Sequence, residues 1–249
     1  MTILILLLLG FVVGTLVTAM GGGGAAIYLG ILTAFFHLTP HSAAATSLVT
    51  AFLPLLIGAY AYYRQGNIQF NIGSRMLAIA LPAVIIGSLI APSIPELIYR
   101  VIIAGILILL GIQILYRTSK PSTTQKSPRG RRLLMVAFGI ISGLMVGIGG
   151  LSGGGPIVAS LLLMGLDTLQ ATATSSYVLV GMTFVGILFH ISTGAVDWSA
   201  GLNLMIGAMI GAFCSPILLG RLNPARLNAI MRPTMGIALV IMGGLSLIS

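Results

Sequence analysis

The chain has 249 residues, of which 57% are hydrophobic and only 6% are charged. Its twelve basic and three acidic side chains cannot cover the surface of a soluble protein of this size. Such a chain also has far too much apolar surface to stay solvated without folding. The composition therefore excludes a soluble enzyme and a disordered protein, and lipid is the solvent that suits it.

Ten apolar segments with few or no charges occupy nearly the whole chain, and they predict an all-α polytopic membrane protein. Most of them have the length of about 20 residues that a helix needs to cross the hydrocarbon layer of a bilayer. Two shorter segments each follow a glycine cluster, which breaks the preceding helix. The predicted segments are 2–20, 25–36, 42–63, 74–92, 96–116, 133–150, 156–166, 170–191, 199–219 and 226–248.

Two glycine clusters, Gly21–Gly24 and Gly153–Gly155, are predicted to form turns inside the membrane, in a hairpin or a broken helix. Irregular backbone at that depth must lie in protein or beside a water-filled cavity. The unpaired N–H groups and the dipole at the start of the next helix favour an anion there. Close helix packing is the alternative for these glycines. The residues of the two turns predicted to bind substrate are Gly22, Gly23, Gly24, Ser152, Gly153, Gly154 and Gly155.

A Thr-Ser pair follows each glycine cluster: Thr46-Ser47 in AAATS and Thr174-Ser175 in ATATS. No Lys or Arg lies in the middle of a predicted helix, so helix N-termini and hydroxyl groups are what remains to hold an anion. We therefore add these four residues to the predicted substrate site. The alternative is that each hydroxyl bonds to a carbonyl of the preceding helical turn.

The same elements recur in the same order, which indicates a tandem duplication. The two Thr-Ser pairs are 128 positions apart, and the last glycines of the clusters, Gly24 and Gly155, are 131 apart. We place the first transmembrane repeat over 1–116, a basic linker over 117–132, and the second repeat over 133–249. Scattered glycines such as Gly139 and Gly143 are interpreted as helix-packing positions.

Charge placement predicts the topology. Six of the twelve basic residues lie between Arg117 and Arg132, and an excess of Lys and Arg marks a cytoplasmic loop. With five segments in each half, the loops that hold Arg64 and Arg221 are also cytoplasmic, and both termini are outside. An odd number of segments makes the second half inverted relative to the first. Inverted repeats are common among secondary transporters, whose sites lie near the midplane where the repeats meet.

Four ionisable side chains in or near the apolar segments need an interpretation. His37 and His41 flank a short loop that is predicted to be external, so we expect both at the surface. His190 lies near the outer end of a helix, where an interfacial role is expected. Asp167 is expected to cap the following helix, and a proton relay is the alternative.

The glycine turns and Thr-Ser elements resemble those of the sulfite exporter TauE/SafE family. The resemblance lies in GTLVTAMGGGGAAI and its second copy GLMVGIGGLSGGGPIVA, each followed by its small-residue Thr-Ser element, and it covers nearly the whole chain. One departure is Ala25, since the second copy has Pro156 at the matching place. The resemblance implies transport of small sulfur-containing or organic anions, such as sulfite, sulfonates or thiosulfate.

These observations predict a secondary transporter, an exporter of a small anion, in the plasma (inner) membrane. An anion channel or an uptake permease for another small organic anion is the alternative. Coupling to protons or to the membrane potential is expected, and assembly as a homo-oligomer is left open. The sequence contains no catalytic motif, metal-ligand cluster or P-loop. We therefore expect no enzyme activity, metal, cofactor or nucleic-acid partner.

Overall fold

The computed structural model describes residues 2–19, 24–116, 128–151, 153–192 and 196–219, with residues 233, 236–237, 240–241 and 244–245 near the C-terminus. The continuous ranges contain nine α-helices, and a 3-10 turn at Ala91–Ser93 follows the fourth of them. The helices are α1 (Thr2–Ala19), α2 (Ala25–Ala34), α3 (Pro40–Arg64), α4 (Phe70–Ile90), α5 (Glu96–Tyr116), α6 (Pro128–Gly149), α7 (Gly154–Leu163), α8 (Thr168–Ser192) and α9 (Trp198–Leu219).

The all-α class predicted from the apolar segments is confirmed, and no strand occurs among the described residues. Four spans are long and apolar enough to cross a membrane: Pro40–Arg64, Phe70–Ser93, Arg132–Gly149 and Leu169–Ile191. The chain is therefore an integral, multi-pass membrane protein. Most of the tenth predicted segment, 226–248, lies outside the described residues, and its seven described residues are helical.

The helix after the basic linker begins earlier than the sequence predicted. The linker was expected to extend to Arg132, but α6 already starts at Pro128. Proline suits this position because its fixed φ matches a helix and its missing N–H needs no partner in the first turn. The rest of the linker, 117–127, lies outside the described residues.

Local capping sets where three of the helices begin. Thr39 precedes α3, and its Oγ1 accepts a hydrogen bond from Ser42 N at 3.4 Å. Asp167 Oδ1 accepts from Gln170 N at 2.9 Å, which confirms the expectation that Asp167 caps α8. Asp197 Oδ1 does the same for α9 through Ala200 N, also at 2.9 Å.

Helices of the two halves are in close contact, since α1 packs along α9 and α4 packs along α6. Glycines make this close packing possible. A methyl group on Gly14 would lie 2.3 Å from the Ala208 carbonyl oxygen. A methyl group on Gly143 would lie 2.5 Å from the Ala80 carbonyl oxygen. Only glycine allows the two backbones to approach this closely, so the packing interpretation of Gly143 is confirmed.

The centre of the molecule is formed by α3 and α8, the third helix of each half. They pack against each other, and each also packs against the fourth helix of the other half: α3 on α9, and α8 on α4. Every residue of 43–51 in α3 is buried, and so is every residue of 173–176 in α8. Both Thr-Ser pairs therefore lie in the protein interior and not on a lipid-facing surface.

Candidate functional site

The second glycine turn begins at a position that requires glycine. Gly150, directly after α6, has a φ of +59°, in the left-handed region. A methyl group on it would lie 2.2 Å from the Ala44 carbonyl oxygen of α3. Its conformation and its close contact with α3 both exclude a side chain, so the turn is pressed directly against the central helix.

Side chains from four helices engage the carbonyl groups around this turn. The last carbonyls of a helix lack intrahelical donors and need other partners. Two of the carbonyls belong to the end of α6 and two to the turn itself. His190 Nε2 lies 3.1 Å from Gly147 O, Tyr99 OH donates to Ile148 O, Ser47 Oγ lies 2.8 Å from Gly150 O, and Ser142 Oγ donates to Gly153 O.

These bonds engage two carbonyl groups of the turn, Gly150 O and Gly153 O, which would otherwise repel an anion. The chain then enters α7 at Gly154, so the positive end of that helix dipole begins at the predicted binding glycines Gly154 and Gly155. A helix start of this kind favours an anion.

The first glycine turn is described only from Gly24 onward, and Gly22, Gly23 and the second-turn residue Ser152 lie outside the described residues. Gly24 is the residue that caps α2, and its carbonyl accepts from Ile27 N at 2.9 Å and from Tyr28 N at 3.1 Å. The Tyr28 hydroxyl is buried in α2 and has no hydrogen-bond partner among the described residues.

The two predicted threonines connect the halves of the molecule. Thr46 Oγ1 accepts a hydrogen bond from Asp197 N at 2.9 Å, and Thr174 Oγ1 accepts one from Gln69 N at 3.0 Å. Asp197 and Gln69 directly precede α9 and α4, and they too are 128 positions apart. Each central helix therefore supports the start of the fourth helix of the other half.

Two glycines make room for these threonines. A methyl group on Gly201 of α9 would lie 3.0 Å from Thr46 Cγ2, and one on Gly73 of α4 would lie 3.0 Å from Thr174 Cγ2. The two glycines are again 128 positions apart. The junctions thus have matching geometry in the two halves, with a threonine, a backbone N–H and a glycine at equivalent places.

The two serines of the Thr-Ser pairs have different partners. Ser47 Oγ lies 2.8 Å from both Ala44 O and Gly150 O, so its single proton is shared between its own helix and the second glycine turn. Ser175 Oγ is buried and has no hydrogen-bond partner among the described residues. Bonding to the preceding turn, the alternative considered for the pairs, is therefore seen for Ser47 and not for Thr46 or Thr174.

His190 lies in the last turn of α8, near the helix end as the sequence predicted, but its side chain is only 4% exposed because the end of α6 packs against it. The expectation for the other histidines holds in part. His37 is exposed, whereas His41 is half-buried and stacks on Tyr99, with ring centroids 4.0 Å apart.

The structure brings together residues that the sequence reasoning did not connect. Ser47, Tyr99, Ser142 and His190 all meet the second glycine turn, although they come from four helices. Gln69 and Asp197 could have been found by applying the 128-residue offset to the start of the fourth helix of each half. Tyr99 and Ser142 carry no such signal, since the 128-residue offset leads from them to Leu227 and Gly14, which have no hydroxyl group.

Comparison with known proteins settles the family. Residues 6–245 match the family described as "Sulfite exporter TauE/SafE". The chain belongs to the TauE/SafE family. This match covers both halves, including both glycine turns and both Thr-Ser pairs, and it confirms the resemblance on which the sequence interpretation drew.

Curated relatives of this TauE/SafE protein are named as membrane transporters. It is 29% identical to "Probable membrane transporter protein YdhB" of Bacillus subtilis over 84% of this chain and 87% of the relative. It is 27% identical to "Probable membrane transporter protein YjnA" of the same organism over 98% of both chains. It is 23% identical to YfcA of Escherichia coli over 84% of this chain and 77% of the relative. No solved structure matches the chain.

Proposed function

We propose that this membrane transporter exports a small anion, namely a sulfur-containing oxyanion or organosulfonate such as sulfite. The observation that carries the proposal is the second glycine turn, where side chains engage the carbonyl groups of Gly150 and Gly153 while the positive end of α7 begins at the same place. The family description supports the sulfur anion, and the geometry supports an anion of small size.

In this proposal, neutral groups bind the substrate. None of the buried side chains in the described part of the chain is Lys or Arg. The N–H groups at the starts of α2 and α7 would therefore share the anion with the hydroxyls of Thr46, Thr174 and Ser175. The proton of Ser47 already serves Ala44 O and Gly150 O. Ser175 suits this role, because its buried hydroxyl can donate to a ligand without first losing a protein partner. Binding without a full positive charge also allows release on the other side of the membrane.

We further propose that the two halves form inverted repeats around this site. The matching junctions, Thr46 with Asp197 and Thr174 with Gln69, support the idea, since each half holds the fourth helix of the other in the same way. Rocking of one half against the other would then expose the glycine turns alternately to the two sides.

A binding screen followed by a flux measurement tests the function. Purified protein would be heated with sulfite, thiosulfate, sulfate, taurine or acetate, and the melting temperature recorded for each. A sulfur anion should raise the melting temperature most, because a ligand that binds only the folded state stabilises it. Each of the five anions is then loaded into proteoliposomes.

The flux separates the carrier from the alternatives. We expect saturable, slow efflux of the anion that gave the largest thermal shift. Flux that rises linearly with concentration would indicate a channel. Preference for acetate over every sulfur anion would overturn the substrate class, and an absence of flux for all five anions would overturn the transport of such anions altogether.

A further inference from the structure

His190 occupies an unusual position for an ionisable side chain in a membrane-spanning helix. It lies within the apolar span Leu169–Ile191, is 4% exposed, and has Nε2 3.1 Å from Gly147 O. Ionisable residues within membrane-spanning helices are costly and generally have a functional reason. In the site described above, His190 contributes a hydrogen bond to a carbonyl group, and its ability to take up a proton has no role.

Burial makes a positive charge on the His190 ring costly, and two features of its surroundings offset part of that cost. Gly147 is three residues from the end of α6, and His190 itself is in the last turn of α8. Helix C-termini carry partial negative charge, so two helix ends stabilise an imidazolium here. The bond to Gly147 O also needs a proton on Nε2 and becomes stronger when the donor is charged.

His41, the neighbouring histidine, lies in a different environment. It is the second residue of α3, and its ring stacks on Tyr99 with ring centroids 4.0 Å apart. His190, and not His41, contacts a carbonyl group at the end of α6.

Few other titratable groups face His190 from the helices packed around it, which are α3, α4, α6 and α7. In the described residues, α3 contributes His41. The tyrosines and Arg64 of α3 lie at Tyr60 and beyond, about 28 Å from His41 along the helix. Arg75 of α4 lies about 20 Å along the helix from Ser88, the residue of α4 that packs against Gly147. Helix α7 has no titratable residue. The arginines of α6 lie in its first two turns, at the far end from Gly147. Beyond these four helices, Tyr99 stacks on His41, and the exposed Glu96 pairs with Arg100 at 3.5 Å.

We propose that His190 is a proton-binding site, and that its protonation strengthens anion binding at the adjacent glycine turn. The inference rests on the proposed function, since it assigns a proton partner to the same anion site. A proton on His190 adds a full positive charge beside Gly147 O, three residues before Gly150 in the chain, in a region that otherwise offers an anion only partial charges. By reciprocity, a bound anion must then raise the affinity of His190 for its proton by the same factor.

Thiosulfate is the probe for the test, because its charge does not change near neutral pH, whereas sulfite itself takes up a proton there. Its dissociation constant is measured on purified wild-type protein between pH 5.5 and pH 8.5. His190→Gln is the key variant, since the glutamine amide can still donate to Gly147 O but cannot titrate. His37→Gln is the matched control at an exposed position, and melting temperatures show whether each variant is folded.

We expect wild-type affinity for thiosulfate to fall by roughly tenfold as the pH rises, which corresponds to a coupling of one pKa unit. His37→Gln should behave like the wild type, and folded His190→Gln should bind thiosulfate with an affinity that no longer depends on pH. A His190→Gln protein that keeps the wild-type pH dependence would overturn the proposal.

Histidine ring NMR gives a second measurement. It does not require the His190→Gln variant to be stable, and it can be made without the anion. The chain has three histidines, so three ring signals can be assigned with the single variants. The His190 signal should titrate without anion and shift its midpoint upward with thiosulfate. A His190 signal that does not change with pH would also overturn the proposal. If wild-type protein binds no sulfur anion, the proposed function fails, and the anion-free titration alone decides whether His190 is a proton site.

Discussion

Thr46 and Thr174 show how one hydroxyl can serve both structure and a binding site. Each accepts a backbone N–H from the residue before a helix of the other half, at 2.9 and 3.0 Å. A hydroxyl that accepts one bond still has its own proton to donate. The structural role uses the oxygen, and the proposed binding role uses the hydrogen, so the two do not compete.

Replacing either threonine by valine should therefore have two effects. Thr174→Val removes the acceptor for Gln69 N, and a buried N–H without a partner costs about 1–3 kcal/mol of unfolding free energy. It also removes the donor to the anion, so the affinity for thiosulfate should fall in protein that remains folded. Thr46→Val should behave in the same way through Asp197 N.

Thr174→Ser and Thr46→Ser are the controls, because serine keeps the hydroxyl and loses only a methyl group. We expect both serine variants to retain thiosulfate binding, measured by calorimetry beside a thermal melt. If the valine variants lose stability but bind thiosulfate with wild-type affinity, the threonines only join the halves and the anion is held elsewhere.

The residue scale also shows a limit of sequence reasoning. The Thr-Ser pairs could be singled out because they recur and because hydroxyls are scarce in apolar helices. Their partners, Gln69 N and Asp197 N, are backbone groups that carry no residue-type signal, and only the 128-residue offset could point to them. The burial of His190 was not predicted for a related reason: an apolar helix does not reveal which of its ends another helix will cover.

At the scale of single elements, the glycine turn after α6 combines two kinds of glycine. Gly150 is required by its φ of +59° and by its contact with Ala44 O. Gly155 is a half-buried residue in the first turn of α7, with ordinary helical backbone. The first is needed for folding, and we propose that the second allows a ligand to approach the helix start.

Gly150→Ala should be strongly destabilising. An added methyl would lie 2.2 Å from Ala44 O, and the left-handed conformation is unfavourable for alanine. The control is Gly105→Ala, in α5, where nothing lies within 4 Å of the added methyl. Its melting temperature should be unchanged or higher, since alanine favours a helix by about 1 kcal/mol over glycine. Equal melting temperatures for the two variants would contradict this account of the turn.

Gly155→Ala tests the anion site separately from stability. Alanine is compatible with the helical backbone, so the melting temperature should stay near that of the wild type, while the added methyl should hinder the approach of an anion to the start of α7. Binding of thiosulfate by Gly155→Ala is compared with binding by Gly105→Ala. A loss that merely follows a fall in melting temperature would mean that Gly155 is a packing residue.

The choice of control glycine is itself informative. From the sequence, Gly111 and Gly244 both belong to ordinary helices where alanine should be harmless. The structure agrees for Gly244, which has open space around it, but a methyl on Gly111 would lie 2.6 Å from Gly236 O. Helical periodicity does not distinguish a glycine facing lipid from one at a helix crossing.

For the whole molecule, the duplication was the most productive signal in the sequence. It predicted the order of the nine described helices, because the apolar segments that begin each half, separated by glycine clusters and loops, are long, short and long in both halves. The packing of each half against the other was not predictable. Close contacts such as those of Gly14 and Gly143 depend on where glycines face, and this information appears only in three dimensions.

The orientation of the halves in the membrane is the remaining large-scale prediction, and two equivalent residues can test it. Asn71 and Ser199 are 128 positions apart, each is exposed, and each lies in the first turn of the fourth helix of its half. Inverted repeats place these two residues on opposite sides of the membrane, with Asn71 inside and Ser199 outside, whereas parallel repeats place them on the same side.

Cys214, the one native cysteine, is first replaced by alanine to give a background without reactive thiols. Single cysteines at 71 and 199 are then treated in intact cells with a thiol reagent that cannot cross the membrane. The charge distribution predicts that position 199 reacts, and that position 71 reacts only after the membrane is opened. Reaction at both positions in intact cells, or at neither, would show that the halves are parallel and would remove the basis for alternating access by inverted repeats.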